Sequence, residues 1–380
     1  MRMIAMLRIS MVALVLGALT LTTAHAAEEP PPISITAKNL KEGLSPSDVK
    51  QVQAHAEYWV SELTTAKRAG GIYTAREGLM ADYNKYGDSS IRFKVEFARS
   101  VAAIVPATMG KLTKADRLKP QKEVNFALAI SKMTQLTAIS ALDTMVTHSN
   151  PGVRFLAWRG FRAIRNDAIR AGGPGIKTLS AALAKQAGAE PNPLVADAIV
   201  DVLYIKKSEW ASNAFKKTFD SNFKTLVVMQ KTSCSRLAVG DADWTRPCIT
   251  AIPMLKDASD FYKPDSKAAT LILQQLLDIA YAGAKAYAAA GGEGIGAFQC
   301  TPLLLQVEPA IGSLSGNSGT EIREPLLSKK MSADEKKSAI RRGVLDWVDR
   351  LEDLGVKTPV FKPIKAPKPT TQPATTKTTS

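Results

Sequence analysis

Apolar residues recur at three- and four-residue spacing along most of the chain, and few runs alternate apolar and polar residues as half-buried strands would. This periodicity predicts helices near 46–67, 72–86, 90–108, 116–147, 151–170, 174–187, 193–206, 209–231, 247–262, 266–290 and 333–354. Local start signals support it. Ser45 is placed to cap the first of these helices, Pro46 suits its first position, and Asp48 favours the positive end of the helix dipole. Ser332 and Glu335 form a capping-box pattern ahead of a stripe made by Ile340, Val344, Val348 and Leu351. The stretch 266–290 is apolar nearly all round, but Gln274, Gln275, Asp278 and Lys285 interrupt it, so it reads as a buried central helix rather than a membrane span. Residues 232–247 read as an irregular loop, and 291–332, with its glycine run and prolines, resists assignment. The chain is therefore expected to be all-α.

The two ends depart from this pattern. Arg2 and Arg8 precede an almost unbroken apolar run from Ile9 to Leu21, followed by Ala24-His25-Ala26. A positive segment, a short apolar segment and small residues at the A-x-A positions predict a cleaved secretory signal over 1–26. The apolar run is shorter than the roughly 20 residues a spanning helix needs. The expected location is secreted or periplasmic, with no transmembrane span in the mature chain. Residues 27–44 are expected to be an extended lead-in. From Lys357 the composition turns to Pro, Thr and Lys, too poor in apolar surface to offset the entropy of ordering, and 357–380 is expected to be a disordered tail. Two helical regions are expected between these ends, 45–231 and 232–356.

Within the first region two stretches resemble each other. Asn150-Pro151-Gly152-Val153-Arg154-Phe155-Leu156-Ala157 and Asn192-Pro193-Leu194-Val195-Ala196-Asp197-Ala198-Ile199 begin 42 residues apart, and each opens a helix after a proline. A weaker copy starts at Ser90-Ile91-Arg92-Phe93. A paired-helix unit of about 40 residues resembles a HEAT or armadillo-like repeat, most clearly over 150–206. The pattern departs from that family at Ala196, where Arg is usual. The resemblance implies a helical-repeat (HEAT-like) α-solenoid serving as a binding scaffold, and the alternative within the same fold class is an irregular multi-helix array.

At about 100° per residue, Val153, Leu156, Ala157, Gly160, Phe161 and Ile164 share one arc of helix 151–165. Arg154, Arg159, Arg162 and Arg165 lie on the other side, with Phe155 and Trp158 among them. Arginine interleaved with aromatics suits recognition of carboxylates or phosphates, which makes these six residues the candidate contact surface. The competing reading packs Phe155 and Trp158 on a neighbouring helix and lays the arginines along the surface.

Charge and chemistry change the picture less. The chain carries 50 Lys and Arg against 35 Asp and Glu; without the two signal arginines the balance is +13, and without the five tail lysines +8. A basic body is compatible with a plain solvated surface or with an anionic partner such as an envelope polymer; nucleic acid is not the expected one. Three cysteines, Cys234, Cys248 and Cys300, permit one disulfide in an exported chain; Cys234 with Cys248 closes a short loop and is the preferred pair, the other pairings staying open. The mature chain has two histidines, His55 and His148, without metal-ligand spacing, so neither a metal nor a cofactor is expected. No GxSxG elbow occurs, and the SxxK match at Ser47-Asp48-Val49-Lys50 lacks its partner motifs. Two functional expectations follow. One is an exported, non-enzymatic helical scaffold for a protein or anionic envelope component; the other is an all-helical envelope polysaccharide hydrolase using carboxylates that the sequence does not single out.

Overall fold

The computed structural model describes residues 30–88, 90–264 and 266–361. The expected signal peptide and the tail from 362 onward lie outside the described residues. Fifteen α-helices make up the described fold, and no strand occurs among the described residues. They are α1 (Ala37–Glu42), α2 (Pro46–Thr65), α3 (Ala69–Gly87), α4 (Ile91–Lys111), α5 (Lys119–Lys132), α6 (Ile139–Met145), α7 (Pro151–Ala171) and α8 (Gly173–Gln186). The rest are α9 (Pro193–Leu203), α10 (Asn213–Ala238), α11 (Thr245–Phe261), α12 (Lys267–Ala289), α13 (Gly294–Ser315), α14 (Arg323–Leu327) and α15 (Ala333–Leu351).

The start signals act as their chemistry dictates. Ser45 and Asp48 form a reciprocal capping box on α2, and Ser332 and Glu335 do the same on α15. The two Asn-Pro motifs cap helices identically in kind: Asn150 Oδ1 accepts from Gly152 N at 2.9 Å, and Asn192 Oδ1 accepts from Leu194 N at 3.0 Å. Ser90, at the weaker copy, caps α4 through Phe93 N. Gly172 and Gly173, at φ +65° and +67°, make the reversal between α7 and α8 that a residue with a Cβ would resist.

Helices pack largely on the second helix along. In the odd series α3 lies on α5, α5 on α7, α7 on α9, α9 on α11 and α11 on α13. In the even series α2 lies on α4, α4 on α6, α6 on α8, α8 on α10 and α10 on α12. Contacts between consecutive helices join the two series, and α12 also packs on α13 and α15. One apolar core threads both series from Val52 to Val356.

Four boundaries differ from expectation. The predicted helix 116–147 is divided into α5, a 3-10 turn over Leu136–Ala138 and α6. The lead-in contains the short helix α1. The stretch 232–247 is mostly helical, because α10 continues to Ala238 with Ser233, Cys234 and Leu237 buried. The unassigned stretch 291–332 contains the long helix α13, whose Pro302 and Pro309 sit inside the helix. Residues 357–361 are also bound: Gln274 Oε1 accepts from Lys357 N at 2.8 Å, Gln274 Nε2 donates to Lys357 O at 3.0 Å, and Phe361 lies 6.0 Å from Tyr281.

Candidate functional site

The face of α7 singled out by the sequence is mainly an internal joint. Arg154 donates from Nε to Glu190 Oε2 at 2.9 Å and from Nη2 to Glu190 Oε1 at 2.7 Å, and its Nη1 reaches the carbonyls of His148 and Ser149. About two helical turns on, Arg162 pairs with Asp201 at 3.2 Å. Arg165 is 1% exposed and bonds the carbonyls of Val202 and Tyr204, Asn166 Oδ1 and Glu209 Oε2. Burial lowers its pKa to about 10, opposed by the attraction of Glu209 and Asp201. The acids stand 36, 39 and 44 residues beyond their arginines, so the charges bridge α7 to the α8–α9 connection, to α9 and to the turn after α9.

The expected outward surface is corrected accordingly. Trp158 is fully buried against Phe161, with ring centroids 5.5 Å apart, and Arg165 is buried with it. Arg154 is spent on Glu190. Arg159 remains exposed, its guanidinium 5.9 Å from the centre of the half-buried Phe155 ring, and Arg162 is partly exposed. Sequence reasoning missed Glu190, Asp201 and Glu209. The available signal was their recurrence about one repeat after the arginines.

The cysteines converge rather than pin a loop. Cys234 on α10 and Cys248 on α11 are buried free thiols, and Cys300 on α13 is a third. Cys234 and Cys248 are not joined as a disulfide; the neighbouring Cys248 and burial push the Cys234 thiol up. Burial holds Cys300 at about 12. The histidines are likewise structural in geometry. His55 Nδ1 lies 3.0 Å from Asp82 Oδ2, and its Nε2 faces the Pro31 carbonyl. His148 Nδ1 accepts from Asn150 N at 3.1 Å, which suits a neutral ring, and burial lowers its pKa. No group of three His, Cys, Asp or Glu able to hold a metal ion occurs among the described residues.

A polar cleft of about 700 Å³ opens where the ends of α11 and α13 meet the start of α12. Lys256, Asp257, Asp260, Thr270, Ser313 and Asp353 are among its lining residues. Asp257 Oδ2 accepts from Tyr204 Oη at 3.0 Å and Lys207 N at 3.1 Å, and Asp260 pairs with Lys207 at 2.9 Å. Burial and the Asp257 carboxylate push the Tyr204 hydroxyl up to about 12, so it stays a donor. Carboxylates and hydroxyls around an open cleft suit hydrogen bonding to a polyhydroxylated ligand.

No protein-family model, curated protein or solved structure matches the chain. What the fold defines is an all-α, multi-helix array, and no helix among the described residues is long and apolar enough to cross a membrane.

Proposed function

We propose that this chain is a secreted or periplasmic, non-enzymatic scaffold of the helical-repeat, HEAT-like α-solenoid kind, which binds a protein partner or an anionic envelope polymer. The observation that carries this reading is the pair of interleaved helix series from α2 to α13, in which each helix lies on the next member of its own series. An array built this way draws its stability from neighbour-to-neighbour contacts and offers long faces to a partner. The ion pairs from α7 to residues 36–44 positions later serve the same purpose, tying one unit to the next.

The test is crosslinking of the tagged protein in its native envelope fraction at low and high salt, with identification of what is captured. A defined partner retained at high salt supports a protein scaffold. Anionic polymer released by salt supports the polymer branch. Capture of neither sinks the proposal. Arg159→Ala is the informative variant, since Arg154 and Arg162 are committed to Glu190 and Asp201.

The cleft lined by Asp257, Asp260 and Asp353 favours a second reading, a polysaccharide hydrolase. Release of new reducing ends from envelope polysaccharide, abolished by Asp353→Asn or Asp260→Asn, would establish it. Equal release by the variants would remove it.

A further inference from the structure

Two turns at one end of the early helices bring together an excess of positive charge. The α2–α3 turn presents Lys67 and Arg68, the last residue of α4 is Lys111, and the α4–α5 connection presents Lys114 and Arg117, all five exposed. Lys122 joins the two. It is 3% exposed and donates to the Thr64 carbonyl at 2.6 Å and to Asp116 Oδ2 at 2.8 Å, leaving a third ammonium proton. Thr64, Lys67, Thr113, Asp116, Arg117 and Lys122 line an open pocket of about 450 Å³.

The charge there is not internally neutralised. Asp116 is the one acid within 64–68 and 111–122, and Lys122 already occupies it, holding its carboxyl below the ordinary range. The bordering acids are Glu62, half-buried on α2, and Glu123, which is buried beside Lys119 and His148. The backbone adds to the field. Helices α3 and α5 both start at this end, at Ala69 and Lys119, with no side-chain cap and no acid in the first turn. At α5 the first donors are taken, Leu118 N by Asp116 Oδ1 at 2.9 Å and Lys119 N by the Asp116 carbonyl, and Pro120 has none, so it is the N-terminus of α3 that adds its positive dipole end to the lysines and arginines.

We propose that this pocket is the binding site for an anionic polysaccharide, with Lys67, Arg117 and Lys122 holding its sulfate or carboxylate groups and Arg68, Lys111 and Lys114 extending the contact along the polymer. Cations distributed over two turns fit a chain of repeated oxyanions better than one small ion. The inference rests on the anionic-polymer branch of the function proposed above.

The experiment measures binding of fluorescent dextran sulfate to the purified protein across a salt series, with inorganic sulfate as competitor. Lys67→Glu with Arg117→Glu is expected to weaken binding about tenfold and to flatten its salt dependence. Lys217→Glu with Lys216→Glu, on the exposed side of α10, changes net charge equally and is expected to leave more of the affinity intact. Circular dichroism melting confirms that both variants fold. Equal weakening in both variants overturns the pocket while the polymer branch stands. Absence of binding by the parent protein overturns both. Inorganic sulfate competing as well as the polymer per anionic group, or tighter binding to duplex DNA, also overturns the proposal.

Discussion

Arg154 and Glu190 meet as a two-pronged pair, and Glu190 Oε1 also accepts from Asn192 N at 2.9 Å. One buried carboxylate thus fixes an arginine of the first Asn-Pro helix and the capping residue of the second. Glu190 is 4% exposed, so its charge has no water as an alternative partner, while the Arg154 side chain keeps 11% of its surface exposed. Removing one partner of such a pair leaves the other charge buried alone. Arg154→Ala and Glu190→Ala are each expected to destabilise the fold by about 3 kcal/mol. The double variant should cost clearly less than the sum, read by urea denaturation in a double-mutant cycle. Additive losses would show that the pair does not act as a unit.

Arg165 makes a stricter demand on shape. Its planar fork reaches two backbone carbonyls, an amide oxygen and a carboxylate at once. Lysine keeps the charge but cannot span these acceptors. Arg165→Lys is expected to cost about 2–4 kcal/mol, since charged hydrogen bonds are lost and buried carbonyls left open. A variant as stable as the parent would mean that the fork is dispensable.

How much of this was legible follows from where the information sits. Caps and apolar stripes are local, so α2, α7, α9 and α15 are readable from residues within one or two turns. Arginine placement on α7 was also readable, but its meaning was not. Arg154, Arg162 and Arg165 look like a surface until the acids 36–44 residues later are brought alongside. Helix α13 was hidden by its own composition. Gly291, Gly292 and Gly294 adopt φ near +77° to build the turn before it, and Pro302 and Pro309 sit inside it, so every local signal pointed to loop. Tertiary burial of Leu303, Leu304, Val307 and Ile311 overrides those signals.

Asp278 on α12 gives the fold a pH dependence. Burial pushes its carboxyl up to about 6 from an ordinary 3.8, against the pull of Gln274 and Lys231. Ionising it therefore costs stability in the folded chain. The cost is absent below about pH 4, grows through about pH 6 and is constant above that. At about 1.4 kcal/mol per unit, it reaches at most about 3 kcal/mol. Asp278→Asn removes it, and the new amide has an acceptor available in Gln275 Oε1, a buried atom without a hydrogen-bond partner among the described residues. The variant should exceed the parent by about 1–3 kcal/mol at pH 7.5 and match it at pH 4. Denaturation at pH 4, 6 and 7.5 checks this; a gap independent of pH would assign the effect to packing instead.

Glu308 on α13 is the acid on which the last helices turn. It is 1% exposed and accepts from Ile322 N at 2.8 Å, Arg323 N at 2.7 Å and Trp347 Nε1 at 3.0 Å. Two of those donors are backbone groups at the start of α14, and the third comes from the core of α15. A carboxylate with two acceptor oxygens can serve all three donors, whereas an amide offers one oxygen and turns its NH₂ toward a donor. Glu308→Gln is isosteric, so any loss reports hydrogen bonding rather than volume. It is expected to destabilise the fold by about 2 kcal/mol, the cost of a buried donor left unmatched. Oε1 serves Ile322 N and Trp347 Nε1 while Oε2 serves Arg323 N, so an amide that keeps its oxygen on the indole strands Arg323 N, and one that turns its nitrogen there changes Trp347 emission. Glu308→Leu should cost more, since it strands all three donors. Equal stability of the Gln variant and the parent would show that the carboxylate is not what holds α13, α14 and α15 together.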